Sequence, residues 1–469
     1  MRCIRNIHLV GIGGVGMSGI AEVLLNLNYQ VSGSDITKSP VTERLIKLGA
    51  QISYSHIPEN VIHSDVVVLS SAIQPNNIEI TTAKTLKIPV VARAEMLAEL
   101  MRFKKGIAIA GTHGKTTTTS LIVSLFTEGE MDPTFIIGGQ LNSTAMNAKL
   151  GTGTYFITEA DESDASFLHL TPIISVLTNI DNDHLDTYND DFTQLKKTFV
   201  EFIHQLPFYG LAVVCIDDQE IQNILSEITK PTITYGFSKK ADVQITTFAQ
   251  KHGQCHFHVI LLDSNSPIDF FLNLPGKHNV LNAVAAIVVA NKVGISIEII
   301  QKVLLHFSGI SRRFQQLGTF QLECGQIMMI DDYGHHPREI QSVIHAVRAG
   351  WEKKRLVMLF QPHRYTRTKA LFRNFSSILS EVDVLIMLDV YAATEAPLPG
   401  ADSRALCASI RNRGQIEPIF VENTDKLWTI VRNLLRDGDI LITQGAGDIG
   451  KIAHHLVQHL KIAEKTTIV

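Results

Sequence analysis

The chain has 469 residues and a net charge of −4, a length that suggests about three domains of roughly 150 residues each. The apolar fraction of 45% is sufficient for buried cores, and the slight negative charge argues against general binding to nucleic acid or anionic membranes. Five scattered cysteines without a C-x-x-C pair indicate a reducing compartment. Apolar runs are too short for a signal peptide or a membrane span, so we expect a cytoplasmic protein.

The N-terminal region alternates strands and helices, which predicts a parallel sheet. Its first strand, Ile7–Val10, leads into the glycine turn Gly11–Gly16, which fits G-x-G-x-x-G, and Asp35 ends the next strand. Glycines in such a turn let a diphosphate approach backbone N–H groups at the start of a helix. The pattern alone fits NAD, a UDP-sugar, or a tight turn that binds no ligand.

The most informative segment is G-T-H-G-K-T at Gly111–Thr116, which follows a short apolar strand and opens into a helix. Glycines allow backbone N–H groups to close around phosphate, and the start of the helix adds a partial positive charge. We expect Lys115 to contact the outer phosphates and the Thr116 hydroxyl to bind Mg²⁺. Ile109 stands where the usual motif has a further glycine, so the loop is a shorter version.

Acidic residues follow the strand that ends near Thr158. The four carboxylates are Glu159, Asp161, Glu162 and Asp164. Because Mg²⁺ prefers oxygen ligands, this segment predicts a Mg²⁺ site, with a solvated acidic loop as the alternative. His184 follows the next strand and is predicted to be a second metal ligand or a phosphate contact.

A helix is predicted from Asn279 to Lys292, after a β-rich insertion near residues 240–275. Asn279 either caps this helix or belongs to the site, and Asn282 offers both a donor and an acceptor to an adenine edge. The pair Arg312-Arg313 lies at a domain boundary, where it suits a transferring phosphoryl group or, alternatively, a surface salt bridge.

The C-terminal region again alternates strands with helices, which predicts a second doubly wound sheet. Loops 331–337 and 361–367 follow two of its strands, and such loops face one crevice. Arg364 and Arg367 suit carboxylate recognition because a guanidinium pairs with a carboxylate through two hydrogen bonds. A second glycine turn, Gly445–Gly450, either binds a diphosphate or only packs a helix on the sheet.

Together these motifs resemble the Mur ligase family over nearly the whole chain. The segments that carry the resemblance are 11–19, 111–116, 159–163, 278–282, 312–314, 331–337 and 362–367. The resemblance implies an α/β fold with three domains. These are a Rossmann-like UDP-sugar-binding domain at 1–101, a central P-loop ATPase-type domain with a parallel sheet at 102–310, and a Rossmann-like closing domain at 311–469 that supplies the amino-acid site.

The implied reaction is ATP-dependent amide formation in peptidoglycan precursor synthesis. The lactyl carboxylate of UDP-N-acetylmuramate attacks the γ-phosphate of ATP, which gives an acyl phosphate and ADP. The amine of L-alanine then attacks the acyl carbon, and phosphate leaves. His113 before Lys115 is typical of the branch of the family that adds alanine. The resemblance implies ATP and two Mg²⁺ ions as cofactors.

The resemblance also implies site residues. The ATP site is implied at Gly111, Thr112, His113, Gly114, Lys115, Thr116, Thr117, Asn279, Asn282, Arg313 and Asp332. The metal ligands are implied to be Thr116, Glu159 and His184. Substrate binding is implied at Gly13, Gly14, Val15, Gly16, Asp35, Ser70 and Ser71 for the sugar nucleotide, and at Tyr333, His335, Arg364 and Arg367 for the amino acid. The catalytic residues are implied to be Lys115, His184, Glu159, Arg313 and His335.

Three alternatives stay open. A murein-peptide ligase shares the ATP site but attaches a preformed tripeptide to the same sugar nucleotide. An NAD-dependent oxidoreductase fits the turn Gly11–Gly16 with Asp35, but it gives no role to Lys115, Glu159 or the C-terminal domain. A binding protein gated by nucleotide would bind ATP without releasing ADP.

Overall fold

A computed structural model describes residues 4–70, 72–264 and 266–467, which form three sheets flanked by helices. This confirms the predicted α/β class with three sheet-containing domains. The chain divides into two compact units. One unit runs to Phe248 and includes Phe257–Phe271 and Asn279–Phe307, and the other comprises Ala249–His256, Leu272–His278 and the chain from Ser308 onward. In the described part of the chain, every helix is too short or too polar to cross a membrane.

The first sheet has five parallel strands in the order β3-β2-β1-β4-β5. After β3 the chain crosses to the other side of β1, where β4 and β5 extend the sheet. Its strands are β1 Asn6–Val10, β2 Gln30–Ser34, β3 Gln51–Ser53, β4 Val66–Leu69 and β5 Val90–Ala92. Its helices are α1 Val15–Asn26, α2 Pro40–Lys47, α3 Ile78–Thr85 and α4 Arg93–Met101. The crevice at a topological switch point lies at the carboxyl ends of β1 and its neighbours.

The middle sheet has ten strands in the order β15-β14-β13-β12-β11-β10-β6-β9-β7-β8. The strands are β6 Lys105–Ala110, β7 Thr134–Ile136, β8 Ala148–Lys149, β9 Tyr155–Glu159, β10 Ile174–Leu177, β11 Leu211–Cys215, β12 Thr232–Gly236, β13 Val243–Lys251, β14 Gln254–Ile260 and β15 Ile268–Leu272. The helices are α5 Lys115–Glu128, α6 Phe192–His204, α7 Gln219–Ile224, α8 Lys277–Lys292 and α9 Ile297–Leu305. Strands β13 to β15 are the predicted β-rich insertion. The central strands β10, β6 and β9 are parallel, so their carboxyl ends meet at one edge.

The third sheet has the order β16-β17-β21-β18-β19-β20 and is parallel except for the hairpin of β16 and β17. The strands are β16 Gln315–Leu322, β17 Gly325–Asp332, β18 Leu356–Phe360, β19 Val384–Leu388, β20 Ile419–Val421 and β21 Ile440–Gln444. The helices are α10 Pro337–Gly350, α11 Tyr365–Ala370, α12 Phe372–Ile378, α13 Ser403–Asn412, α14 Leu427–Leu434 and α15 Ile449–Thr467. Two buried apolar clusters cover its two faces, as a doubly wound sheet requires.

Several element boundaries differ from the sequence prediction. Helix α1 begins at Val15, although the apolar run that predicted it begins at Ile20; the glycines between them weaken the helical pattern without preventing the helix. Helix α8 begins at Lys277, so Asn279 lies in its first turn, and the alternative that Asn279 caps this helix is wrong. The hairpin strand β16 was not predicted, and its register shifts between Gln316 and Gly318.

A buried carboxylate stabilises the first sheet. Glu79 accepts hydrogen bonds from Ser34 and His56 at 2.6 and 2.8 Å, and Asn60 also donates to it. His8 Nε2 lies 3.5 Å from the same carboxylate. Burial alone would raise the pKa of Glu79, but these hydrogen bonds lower it to about 2. The ionised form is therefore favoured in the folded protein.

We expect acid to weaken this network. Because the pKa of Glu79 is depressed from 4.5 to about 2, its stabilisation is complete above pH 4.5 and is lost as the pH falls toward 2. In urea unfolding, the wild type should lose about 2 kcal/mol more than Glu79→Gln between pH 6 and pH 3. An identical pH dependence in both proteins would show that Glu79 does not contribute.

Candidate active site

The phosphate loop Gly111–Thr116 connects β6 to α5 at the carboxyl edge of the middle sheet. Gly111 and Gly114 have φ angles of +119° and +83°, a region that side chains rarely adopt. Thr178 and Asn179, which follow β10, donate to the carbonyl oxygen of His113 at 2.6 and 2.9 Å. These contacts hold the loop in an open turn whose N–H groups lie at the start of α5.

A methyl group at Gly114 is expected to disturb this loop. A Cβ there would lie 2.5 Å from Asn282 Oδ1 and would need the unfavourable φ of +83°. Gly114→Ala should weaken nucleotide binding at least about tenfold, since the φ cost alone is about 1–2 kcal/mol. Gly253→Ala is the control, because its Cβ meets no atom within 4 Å. Equal nucleotide affinities in isothermal titration of the two variants would contradict this prediction.

Lys115 lies at the centre of the loop and is largely buried. Its ammonium contacts both carboxylate oxygens of Glu162 at 2.6 and 2.9 Å, and it donates to the carbonyl oxygen of Gly111 at 2.7 Å. Burial alone would lower the pKa of Lys115, but the neighbouring carboxylates of Glu162, Asp161 and Glu159 together outweigh burial and raise it. Lys115 is therefore a permanent cation, as a phosphate contact requires.

The first two predicted metal ligands lie together. The Thr116 hydroxyl is 3.2 Å from Glu159 Oε2, and Gly138 N donates to Glu159 Oε1 at 2.7 Å. A hydroxyl beside a carboxylate at a phosphate loop fits Mg²⁺, which binds through few protein ligands and keeps phosphate and water ligands.

His184 follows β10, at the same edge of the sheet as Thr116 and Glu159, and begins the turn that contains Tyr188. It has a left-handed backbone, with φ of 56°. Among the described residues, neither Glu159 nor His184 belongs to a group of three ligand side chains with donor atoms within 4.8 Å of one another. The metal roles of both residues stay predictions.

The predicted adenine contacts lie on α8 beside the phosphate loop. Asn282 and Asn279 are both buried, and their amides are 3.4 Å apart. Asn282 lies next to Gly114, which places its amide donor and acceptor close to the phosphate loop. Its contact with adenine stays a prediction. Thr117 and His113 belong to the same loop and helix start, and His113 Nε2 lies 3.0 Å from Asp181 Oδ2.

The glycine turn of the first sheet is held by the end of β2. The Ser34 carbonyl accepts from Gly11 N at 2.8 Å, and Asp35 accepts from Gly13 N at 2.9 Å. The turn continues through Gly14 into Val15 and Gly16, which begin α1. The Asp35 carboxylate therefore binds the glycine turn, a contact that the sequence did not predict.

Ser70 and Arg93 lie beside the same turn. Ser70 packs against Gly11, and the predicted contact Ser71 falls outside the described residues. Arg93 was not predicted: its guanidinium would touch a Cβ at Gly16 and lies 3.5 Å from Asp161. Because it directly follows β5, a charged residue at the carboxyl end of a parallel strand was the available signal.

The arginine pair at the start of the third domain has two different roles in the structure. Arg312 binds Asp331 at 3.1 Å and the Gly445 carbonyl at 2.5 Å, so it is structural. Arg313 is more weakly held, 3.8 Å from Glu339 and above the Tyr333 ring. The weaker contact leaves Arg313 better suited than Arg312 to bind a phosphoryl group.

Asp332 is buried and fixes the neighbouring loops. Its carboxylate accepts from Phe314 N and Gly334 N, each at 2.8 Å, and from Gln444 at 2.7 Å. Burial raises the pKa of Asp332. The predicted nucleotide contact is thus an anchor for both the arginine segment and the loop after β17.

Three of the four residues predicted for the amino-acid end form one row through His363, namely Tyr333, His335 and Arg367. The Tyr333 and His335 rings are 5.5 Å apart, and the His335 and His363 rings are 5.6 Å apart. Arg367 is buried and lies 3.3 Å from His363 Nδ1. Arg364 binds Glu395 at 2.7 Å, a partner that the sequence did not indicate. The two loops therefore lie side by side at the carboxyl ends of β17 and β18.

The second glycine turn packs a helix on the sheet. A Cβ at Gly447 would lie 2.5 Å from the Gln361 side chain and 2.7 Å from the Tyr391 ring. The Gln361 amide also accepts from Ile449 N at 3.1 Å at the start of α15. Side chains of the protein occupy the positions that a diphosphate would need, so the packing alternative is the one that the geometry supports.

Three models of Mur ligase domains match successive segments of the chain. Residues 6–105 match "Mur ligase family, catalytic domain", residues 109–290 match "Mur ligase middle domain", and residues 312–447 match "Mur ligase, glutamate ligase domain". The first and third matches each contain one whole sheet, and the second contains the middle sheet except for residues 105–108 of β6.

Solved structures of Mur ligases have a similar fold. A UDP-N-acetylmuramate–alanine ligase (MurC) from Thermotoga maritima is 27% identical, with 97% of this chain and 99% of that chain covered and a TM-score of 0.82. A murein peptide ligase from Psychrobacter arcticus is 22% identical, with 97% and 98% covered and a TM-score of 0.70. A MurF ligase from Thermotoga maritima in complex with ADP is 14% identical, with 88% and 98% covered and a TM-score of 0.64.

Proposed function

This chain belongs to the Mur ligase family of ATP-dependent ligases of peptidoglycan synthesis, and from that premise we propose that it joins L-alanine to the lactyl carboxylate of UDP-N-acetylmuramate. The observation that carries this choice of substrates is the likeness to the alanine ligase, at a TM-score of 0.82 over 97% of the chain. The murein peptide ligase, at 0.70, supports the alternative that the acceptor is a preformed tripeptide.

In the proposed arrangement, the first domain, 1–101, binds the sugar nucleotide. The N–H groups of Val15 and Gly16 start α1 and suit the diphosphate, and Gly14 shapes the turn by donating to the Gly11 carbonyl at 3.2 Å. Asp35 keeps the turn in shape through Gly13, and Arg93 adds a cation beside it.

The middle domain, 102–310, binds ATP. Lys115 neutralises the outer phosphates, and Asn282 contacts adenine. Thr116, Glu159 and His184 are the residues that would hold Mg²⁺. When bound, Mg²⁺ reduces the repulsion between the triphosphate and the attacking carboxylate.

The closing domain, 311–469, contributes Arg313 at the phosphoryl group and the row from Tyr333 to Arg367 at the amino acid. The carboxylate of the sugar nucleotide attacks the γ-phosphorus, and ADP leaves. The alanine nitrogen then attacks the acyl carbon of the acyl phosphate, and inorganic phosphate leaves. Arg364 and Arg367 suit the carboxylate of alanine, which positions the amine for this attack.

The acceptor decides between the two candidates. The purified protein should be given ATP, Mg²⁺ and UDP-N-acetylmuramate with either L-alanine or the tripeptide L-Ala-γ-D-Glu-diaminopimelate, and the product identified by mass spectrometry. We expect the alanyl product and a kcat/KM for alanine at least about a hundredfold above that for the tripeptide. Preference for the tripeptide would assign the chain to the alternative.

A further inference from the structure

The ammonium of Lys115 has three N–H donors and four acceptors within reach. The Glu162 oxygens lie at 2.6 and 2.9 Å, and the carbonyl oxygens of Gly111 and Thr112 lie at 2.7 and 3.3 Å. All three donors are thus used by the protein itself. A phosphate can gain a hydrogen bond from Lys115 only by replacing one of these acceptors.

We infer that Glu162 is a positioning residue that holds Lys115 back from the phosphate site and that nucleotide binding exchanges Glu162 for phosphate. This inference rests on the proposed function of the loop Gly111–Thr116 as the ATP site. Glu162 was one of four acidic residues noted in the sequence, but the sequence did not separate it from its neighbours. The structure separates it, because Glu162 contacts Lys115 while Glu159 contacts Thr116.

Glu162 is well placed for this role because it is fixed. Its side chain is almost fully buried, and its carbonyl oxygen accepts from the Tyr188 hydroxyl at 2.5 Å. The next residue, Ser163, accepts from Thr187 at 2.5 Å. The backbone of the acidic loop is therefore tied to the turn that follows His184. Because the carboxylate cannot easily follow the lysine, the lysine must move when phosphate binds.

Competition between Glu162 and phosphate for Lys115 predicts a change of nucleotide affinity in an unusual direction. Most substitutions in a binding site weaken binding, but removal of the competing carboxylate should strengthen it. Loss of a negative charge would also strengthen binding of an anion in general, whether or not Lys115 is present. The two causes differ in one respect: the exchange requires Lys115, whereas the general charge effect does not. A double-mutant cycle separates them.

The experiment is isothermal titration of ADP into the full-length protein in EDTA, so that no metal ion contributes. We expect Glu162→Gln to bind ADP roughly tenfold more tightly than the wild type. In the Lys115→Ala background, Glu162→Gln should change the affinity by less than about twofold. Binding of UDP-N-acetylmuramate to each variant shows that the variant is folded. If Glu162→Gln does not fold, Glu162→Asp should show the same direction with a smaller factor.

The inference is overturned if Glu162→Gln binds ADP no more tightly than the wild type. It is also overturned if the gain is equal with and without Lys115, because the general charge effect then explains it. These results leave the proposed function intact. Failure of the wild type to bind ADP even with Mg²⁺ is a different outcome, which would contradict the proposed ATP site and the inference with it.

Discussion

Lys115→Ala should reduce ATP turnover about 100- to 1000-fold while the affinity for UDP-N-acetylmuramate changes by less than about twofold. The lysine supplies the charge that offsets repulsion between the triphosphate and the attacking carboxylate, and removal of such a group costs about 3–4 kcal/mol in the transition state. Among the described contacts, none joins Lys115 to the glycine turn of the first sheet. The geometry of that turn should therefore persist in Lys115→Ala.

The measurements are phosphate release for turnover and titration calorimetry for the sugar nucleotide. Lys197→Ala is a matched control, since Lys197 is exposed on α6 and has no assigned role. Equal loss of turnover and of sugar-nucleotide binding in Lys115→Ala would contradict the assignment of the two ligands to different domains.

Arg367→Ala and Arg364→Ala should raise the KM for alanine about 10- to 100-fold, the range expected when a guanidinium–carboxylate pair worth about 1.5–3 kcal/mol is lost. The KM values for ATP and UDP-N-acetylmuramate should stay within about twofold.

Steady-state kinetics with alanine as the varied substrate test this prediction. Arg411→Ala is the control, because Arg411 forms an exposed ion pair with Glu417 at 2.5 Å. If the KM for alanine is unchanged in both Arg364→Ala and Arg367→Ala, these arginines do not bind the amino acid.

Local patterns in the sequence were sufficient to predict the three sheets and the loops at the carboxyl ends of their strands. Strands β18 and β19 are continuous apolar runs bounded by polar turns, the pattern that marks buried parallel strands. Pro337 begins α10, in agreement with the preference of proline for the first position of a helix. Parallel order then placed the loops after β17 and β18 at one edge, where the structure has them.

Contacts between distant segments of the chain could not be predicted from the sequence. Nothing in the local pattern distinguished Glu162, which binds Lys115, from Asp164, which is exposed. The same holds for Arg312 and Arg313, which are adjacent but differ in partners. Nothing in the local sequence marks Glu79 for burial. Its burial depends on contacts with His8, Ser34 and His56, which lie on other strands and loops. Such pairings follow from the tertiary fold rather than from periodicity.

The most direct test of the proposed reaction is phosphate release from ATP and Mg²⁺ in the presence of UDP-N-acetylmuramate, measured with and without L-alanine. We predict that phosphate is released in multiple turnovers only when both substrates are present. Absence of release with alanine, combined with release with the tripeptide, would move the assignment to a murein-peptide ligase. Absence of release with either acceptor would contradict the proposed sugar-nucleotide substrate.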